Sequence, residues 1–201
     1  LAHRIGIQRL HDYMARFGFG ARSGIDLNGE KAGLFPSPEW KEEKRKKPWV
    51  AGETVIAGIG QGYVQATPLQ MSRATAILAN RGRNVEPRLV DSIKANYDVE
   101  NPFPRTGDQP IGTIDPKRWQ TVVSAMIDVV LSGRGTAKRI APGLSYRIAG
   151  KTGTAQVFSV GQKQSYGKMA IRRTMRDHAW FVAFAPANAT NQAWSRMVRR
   201  I

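Results

Sequence analysis

A short run of lysine, hydroxyl-bearing and glycine residues is the part of this sequence best suited to chemistry. Lys151, Thr152, Gly153 and Thr154 follow one another directly. A lysine ammonium attracts a carboxylate and can assist proton movement, while neighbouring hydroxyls hydrogen-bond the same carboxylate. A glycine lets a substrate backbone lie against the chain, and a nearby backbone N–H can stabilise an oxyanion. The run therefore predicts an acyl-substrate site, although a Lys-Thr-Gly tripeptide alone arises by chance in many chains.

The segments around this run predict the strands that position it. Residues 145–158 resemble a strand broken by small residues, and residues 178–185 are the clearest strand pattern in the chain. Together they predict an antiparallel hairpin with a long, basic connection. A further short strand is predicted over residues 85–93, leading into a polar loop that ends at Gly112.

Three segments have the spacing of amphipathic helices. The first covers residues 2–17 and ends at a left-handed Gly18; the second follows the N-cap Thr67, and the third follows the N-cap Asp115. Their apolar positions are Ile7, Leu10, Met14 and Phe17; Met71, Ala74, Ile77 and Leu78; and Trp119, Val122, Val123, Met126 and Val130. Residues 39–49 are densely charged, which favours a solvated loop or half-helix over a surface for an anionic partner.

Composition limits the chemistry further. The chain has 201 residues, no Cys and a formal net charge of +16, so disulfides, thiolate zinc sites and a cysteine nucleophile are excluded. His3, His11 and His178 have no metal-ligand spacing, and no cofactor is predicted. The glycines of residues 58–62 lack the spacing of a phosphate-binding loop, so a close-packed turn is the favoured interpretation.

Several motifs together resemble the transpeptidase domain of penicillin-binding proteins. They are Gly58-Ile59-Gly60-Gln61-Gly62 with Thr67-Pro68-Leu69-Gln70, the tripeptide Gly135-Thr136-Ala137, and residues 150–156, which match the Lys-Thr-Gly motif. Other segments resemble the elongation-specific class B branch, penicillin-binding protein 2, with division-specific paralogues as the nearest alternative. These are Gly24-Ile25-Asp26-Leu27, Glu39-Trp40-Lys41, Lys47-Pro48-Trp49, Gly52-Glu53-Thr54 and Arg176-Asp177-His178.

The resemblance implies an α+β fold, a mainly antiparallel sheet with flanking helices. It implies that residues 1–186 are the C-terminal portion of the domain, lacking the first strands, the nucleophile helix and the last strand. Residues 187–201 are expected to be an atypical basic tail from a truncated or frameshifted reading. The family cross-links peptidoglycan stem peptides ending in D-Ala-D-Ala through an acyl-serine, is acylated by β-lactams, and serves elongation and rod shape.

The resemblance also implies residue roles, partners and a location. Lys151 corresponds to the motif lysine, Thr152 faces the substrate carboxylate, and Gly153 leaves a gap for the substrate strand. Thr154 supplies a second hydroxyl and half of the oxyanion hole, with Gln156 beside it on the same face. The implied partners are a membrane glycosyltransferase and scaffold proteins of the elongation machinery. The implied location is the periplasmic face of the bacterial inner membrane, with an anchoring helix outside this chain.

The sequence departs from the family in its nucleophile. No Ser-x-Asn or Ser-x-Asp occurs, and Ser165-Tyr166-Gly167-Lys168 is the one Ser-x-x-K, within the basic loop 163–176. We interpret that match as coincidental, because no helical pattern aligns Ser165 with Lys168, and therefore expect the chain alone to be inactive. A non-catalytic module that binds peptidoglycan or a partner is the alternative. A nucleic-acid-binding domain is a further one, although the basic residues after Lys168 lack a recognition motif and no nucleic acid is expected.

Overall fold

The structure is a computed structural model that describes residues 1–90, 93–94, 99–100, 109–156 and 177–187. Its elements are α1 (Ala2–Ile5), α2 (Ile7–Arg16), α3 (Pro38–Arg45), α4 (Ala51–Ala57), α5 (Pro68–Ala79), β1 (Ile93–Lys94), β2 (Val99–Glu100), α6 (Pro116–Leu131), a short 3-10 helix (Lys138–Ile140), β3 (Ala149–Ala155) and β4 (His178–Phe184). The chain divides into two compact units, residues 1–119 and 120–201. None of the helices in the described ranges combines the length and apolar character needed to cross a bilayer.

The first helical segment is divided into two helices. Gly6 has a φ of 83°, which ends α1 and starts α2, so the prediction of one continuous helix over residues 2–17 was wrong. A positive φ suits glycine because it has no Cβ, and this lets the chain turn there at no steric cost. The predicted stop at Gly18 is confirmed by its φ of 87°. Ile7 packs with Phe35 and Ala57, and Phe17 packs with Ile77 and neighbouring residues.

Helix α5 begins and ends as the sequence predicts. Thr67 accepts a hydrogen bond from the Gln70 N–H, and the Gln70 side chain accepts one from the Thr67 N–H, which completes a capping box. Ala74 and Ile77 are buried as expected.

Gln70 itself is fully buried, which the apolar pattern did not predict. Its Nε2 donates to the carbonyls of Ala32 at 2.7 Å, Ala21 at 2.8 Å and Gly18 at 3.2 Å. An amide NH₂ has only two protons. One is donated to the Ala32 carbonyl and one to the Ala21 carbonyl, and the Gly18 carbonyl accepts a longer, bifurcated hydrogen bond from one of them. A single side chain therefore holds the 18–33 segment against α5.

The charged residues 39–49 include a short helix, as the half-helix interpretation predicts, but they are not solvated throughout. Residues 38–45 form α3, in which Lys41 is 4% exposed. Lys41 Nζ donates to the Pro48 carbonyl at 2.8 Å and lies 2.6 Å from Glu53 Oε1 on α4. Burial by itself would raise the pKa of Glu53, but the hydrogen bonds from Lys41 and the Val50 N–H outweigh it and lower that pKa. Trp49 adds a bond from its Nε1 to the buried Thr54 hydroxyl at 2.9 Å.

The glycines after α4 form a close-packed turn, as the sequence indicates. Gly60 and Gly62 have φ values of 76° and 71°. A Cβ on Gly58 would lie 2.2 Å from the Ala2 Cβ, and one on Gly62 would lie 2.9 Å from Ile56 Cγ2. Both glycines are therefore explained by packing within residues 1–119.

The strand predicted over residues 85–93 is wrong for residues 85–90. Leu89 and Val90 instead donate their N–H groups to the Asp26 carboxylate, at 2.6 and 2.8 Å. These two bonds lower the pKa of Asp26. Ile93–Lys94 does form a strand, which pairs antiparallel with Val99–Glu100.

Helix α6 begins at Pro116 as predicted, and Asp115 Oδ1 accepts the Lys117 N–H at 2.8 Å. The predicted apolar positions Trp119, Val123, Met126 and Val130 are buried. Val122 is 43% exposed, so its assignment to the buried stripe was wrong.

The predicted hairpin is confirmed. Strand β3 pairs antiparallel with β4, with Ala149 opposite Phe184 and Thr152 opposite Phe181. Among the described residues, β4 is the one strand that pairs with β3. The backbone groups on the other edge of β3 have no strand partner within the part of the chain that the structure describes.

Candidate functional site

The predicted site residues lie together on or directly after β3. Lys151, Gly153, Thr154 and Gln156 are exposed, and Thr152 is half-buried. Because side chains alternate along a strand, Thr152 and Thr154 project from one face and Lys151 from the other. Gln156 follows the last residue of the strand directly.

Lys151 is directed along its own strand. Its Nζ donates to the Thr152 carbonyl at 2.6 Å, and the side chain is exposed. The ammonium therefore lies next to the backbone that carries both threonines. A cation there favours an anion at the strand edge.

The Thr152 hydroxyl has a partner from another segment. Thr136 Oγ1 lies 2.8 Å from Thr152 Oγ1, which is a hydrogen bond in which either hydroxyl is able to donate. The sequence identified Thr136 as part of a Gly-Thr-Ala motif without a role. The tripeptide was the available signal, but its contact with Thr152 depends on a fold in which residues 16 apart in the chain meet.

The loop that carries Thr136 is fixed against the end of α6. A Cβ on Gly135 would lie 2.3 Å from the Val129 carbonyl oxygen, so the backbone approaches the helix as closely as only glycine permits. The Ala137 N–H donates to that same carbonyl at 2.9 Å. Lys138 Nζ donates to the Gly133 carbonyl, also at 2.9 Å. Thr136 is therefore held between two residues that are bound or packed against the helix.

Two glycines of β3 differ in their surroundings. A Cβ on Gly150 would lie 2.5 Å from the Phe181 ring, so this glycine is required by packing between the paired strands. A Cβ on Gly153 would meet nothing within 4 Å. The space at the Cβ position of Gly153 is therefore open, on the face of β3 from which Lys151 projects.

Comparison with known proteins assigns the chain to a family. Residues 1–200 match the penicillin binding protein transpeptidase domain. The chain belongs to this family. Its Lys-Thr-Gly strand and Gly-Thr-Ala loop are thus elements of a penicillin-binding protein fold, and the predicted fold class is confirmed.

Similar proteins come from the branch that the sequence motifs indicate. The chain is 41% identical over 187 residues to the peptidoglycan D,D-transpeptidase MrdA of Haemophilus influenzae, covering 92% of this chain and 28% of that protein. It therefore spans less than a third of that curated relative.

Two solved structures are similar as well. Penicillin-binding protein 2 of Pseudomonas aeruginosa, solved in complex with WCK 5153, has 43% identity and a TM-score of 0.77, over 93% of this chain and 38% of that one. Penicillin-binding protein 2 of Helicobacter pylori, solved in complex with MreC, has 30% identity and a TM-score of 0.69, over 92% of this chain and 31% of that one.

The remaining predictions about the site fall outside the described residues. Ser165 and Lys168 lie there, as do the basic loop 163–176 and residues 188–201 of the predicted tail. The boundary between residues 1–186 and 187–201 stays a prediction. Within the described ranges, no group of three or more His, Asp or Glu residues is placed to hold a metal ion.

Proposed function

We propose that this chain is the part of a peptidoglycan D,D-transpeptidase that binds the terminal carboxylate of the stem peptide. The observation that carries the proposal is strand β3, which bears the Thr152 and Thr154 hydroxyls and has open space at the Cβ position of Gly153, in a chain of the penicillin-binding protein family. A net charge of +16 favours an anionic substrate of this kind.

Each residue of the motif has a defined task in this proposal. The Thr152 and Thr154 hydroxyls donate to the carboxylate of the terminal D-Ala, while the Lys151 ammonium stabilises its charge and assists proton movement. Gly153 leaves room for the peptide backbone beside the strand. The Thr154 N–H contributes one donor to the oxyanion hole, and Gln156 contacts the substrate from the same face.

The whole protein would then cross-link stem peptides through an acyl-serine and be acylated by β-lactams. Its nucleophile would come from a helical Ser-x-x-K motif and a Ser-x-Asn motif. Residues 1–201 contain no Ser-x-Asn, and the Ser-x-x-K match at Ser165 lacks a helical pattern, so this chain alone would not be acylated. We propose a periplasmic location on the inner membrane and a role in elongation. The Helicobacter pylori complex with MreC supports a scaffold partner for the whole protein, and a membrane glycosyltransferase is a second proposed partner.

Mass spectrometry of the purified chain tests the proposed inactivity. After incubation with benzylpenicillin, the intact mass should stay unchanged. A stoichiometric acyl adduct would contradict the proposal, and its absence from a Ser165→Ala variant would identify Ser165 as the nucleophile. Far-UV circular dichroism of the same sample shows whether the chain is folded during the incubation.

A chimaera tests the activity of the whole protein. Residues 1–187 of this chain replace the matching segment of the Haemophilus influenzae relative, and acylation by a fluorescent penicillin is measured. We expect the chimaera to be acylated and Lys151→Ala to reduce the rate at least a hundredfold, since one preorganised group commonly contributes that much. Arg81→Ala, at an exposed turn residue distant in sequence from the motif, is the control. Equal rates for the chimaera and the Lys151→Ala variant would overturn the proposal.

The two other functions left open by the sequence predict different results. A non-catalytic module would bind peptidoglycan sacculi, and the chimaera would remain unlabelled. A nucleic-acid-binding domain would bind DNA or RNA with an affinity that falls steeply as salt rises. Binding of a D-Ala-D-Ala peptide that requires its free carboxylate distinguishes the proposed function from both.

A further inference from the structure

The hydrogen bond between the Thr136 and Thr152 hydroxyls has two possible donors. One proton lies between the two oxygens, which are 2.8 Å apart. If Thr152 donates it, the Thr152 hydroxyl has no proton left for a substrate. If Thr136 donates it, Thr152 accepts and keeps its own proton for another acceptor.

A bound carboxylate determines which of the two hydroxyls donates. An ionised carboxylate has only acceptor sites, so the Thr152 hydroxyl binds it by donating its proton. The Thr136 hydroxyl must then point its proton at Thr152 Oγ1. A chain of two donors pointing the same way is mutually polarising, which strengthens the outer bond.

The loop holds the backbone on both sides of Thr136 against α6. Gly135 is packed against the end of α6, and the Ala137 N–H is bonded to the Val129 carbonyl. Because the backbone around Thr136 is held in place, the hydrogen bond between the two hydroxyls restricts the positions open to Thr152 Oγ1. Both groups lie within residues 120–201.

We propose that Thr136 is a positioning residue that orients the Thr152 hydroxyl as a donor toward the carboxylate of a peptide ending in D-Ala. Thr136 itself acts through Thr152 and has no contact with the substrate in this proposal. The inference rests on the proposed function for the carboxylate, but the hydrogen bond and its effect on Thr152 are measurable without any ligand.

The first measurement concerns the free chain. Three-bond couplings from NMR report the χ1 angle of Thr152. We expect a single rotamer in the wild-type chain and in Thr136→Ser, which keeps the hydroxyl, and rotamer averaging in Thr136→Val, which has the same shape without it. The exposed Thr113→Val is the control. A Thr152 rotamer that stays fixed in Thr136→Val would overturn the inference.

The second measurement concerns the carboxylate. Diacetyl-Lys-D-Ala-D-Ala and its C-terminal amide are titrated separately into the 201-residue chain, and the ratio of their affinities is taken. That ratio should fall about fivefold in Thr136→Val, the effect of one ordinary hydrogen bond, and recover in Thr136→Ser. An unchanged ratio in Thr136→Val would overturn the inference.

The two proposals fail in different ways. A wild-type chain that binds the acid and the amide equally would contradict the proposed carboxylate site. The χ1 result would still decide whether Thr136 positions Thr152. A wild-type chain that prefers the acid, together with a Thr136→Val chain that prefers it equally, would leave the proposed function standing and remove Thr136 from it.

Discussion

Lys41 Nζ lies 2.6 Å from Glu53 Oε1, and the two side chains are 6% and 19% exposed. This ion pair joins α3 to α4 across residues 46–50. The Pro48 carbonyl accepts a second hydrogen bond from the Lys41 ammonium. The Val50 N–H donates a hydrogen bond to the Glu53 carboxylate. Both charges are therefore paired and hydrogen-bonded, the condition under which buried charges are tolerated.

Removing one partner of this pair should be costly. Lys41→Met leaves the Glu53 carboxylate buried without its cation, so we expect the free energy of unfolding to fall by about 3 kcal/mol. Urea denaturation followed by tryptophan fluorescence measures it. The control is Lys44→Met, which removes an exposed pair with Glu43 and should change stability by less than about 0.5 kcal/mol. Equal losses in the two variants would contradict the structural role of the Lys41 pair.

Gln70 should be the least replaceable polar residue of α5. Gln70→Leu keeps a similar volume but removes the donors to the Ala21 and Ala32 carbonyls and the acceptor for the Thr67 N–H. Leaving buried polar groups unpaired costs about 1–3 kcal/mol each, so a loss of about 3 kcal/mol or more is expected. Gln61→Ala, at an exposed position of the glycine turn, should be close to neutral. A Gln70→Leu chain as stable as wild type would show that these bonds contribute nothing net.

Local signals in the sequence predicted the helix ends and the hairpin. Thr67 with Pro68, and Asp115 with Pro116, act through bonds to neighbouring residues, so a single sequence contains all the information needed. The strand pattern of residues 178–185 was equally local. For the same reason the Lys-Thr-Gly run is predicted on a strand from its own neighbours, and it lies on β3.

Features that depend on distant segments were missed. From the sequence alone, Gln70 is expected to be a polar surface residue. Its burial depends on the carbonyls of residues 18, 21 and 32, which only the folded structure brings to its side chain. Residues 85–90 were predicted as a strand, but the Leu89 and Val90 N–H groups donate to the Asp26 carboxylate and not to a neighbouring strand. Thr136 belongs to the same class, because its contact with Thr152 is set by the path of a loop.

Acid should release the Leu89–Val90 segment from Asp26. The two N–H bonds lower the pKa of Asp26 in the folded chain below its usual value of 3.8. The stabilisation is thus complete above pH 3.8 and is lost as the pH falls through the lower, folded value. NMR of the Leu89 and Val90 amides should show upfield shifts during that titration. In Asp26→Asn the same shifts should be absent; if they persist, another group is responsible for them.

Substitution by alanine should destabilise the chain at Gly150 but not at Gly153. Gly150→Ala places a methyl group 2.5 Å from the Phe181 ring, so we expect a loss of about 1–3 kcal/mol in the free energy of unfolding. Gly153→Ala meets nothing within 4 Å and should leave the stability of the chain within about 0.5 kcal/mol of wild type. Urea denaturation of the two variants, measured side by side, makes the comparison.

A second substitution separates packing from backbone effects. If the Phe181 ring is the cause, Phe181→Leu in the Gly150→Ala background should recover part of the loss, because the residues are in contact and their effects do not add. Strictly additive losses in the double variant would mean that the ring is not the obstacle. In the acylation assay on the chimaera, Gly153→Ala should instead reduce the rate, because its methyl group occupies the space proposed for the peptide backbone. A stable Gly153→Ala chimaera that reacts at the wild-type rate would place the substrate elsewhere.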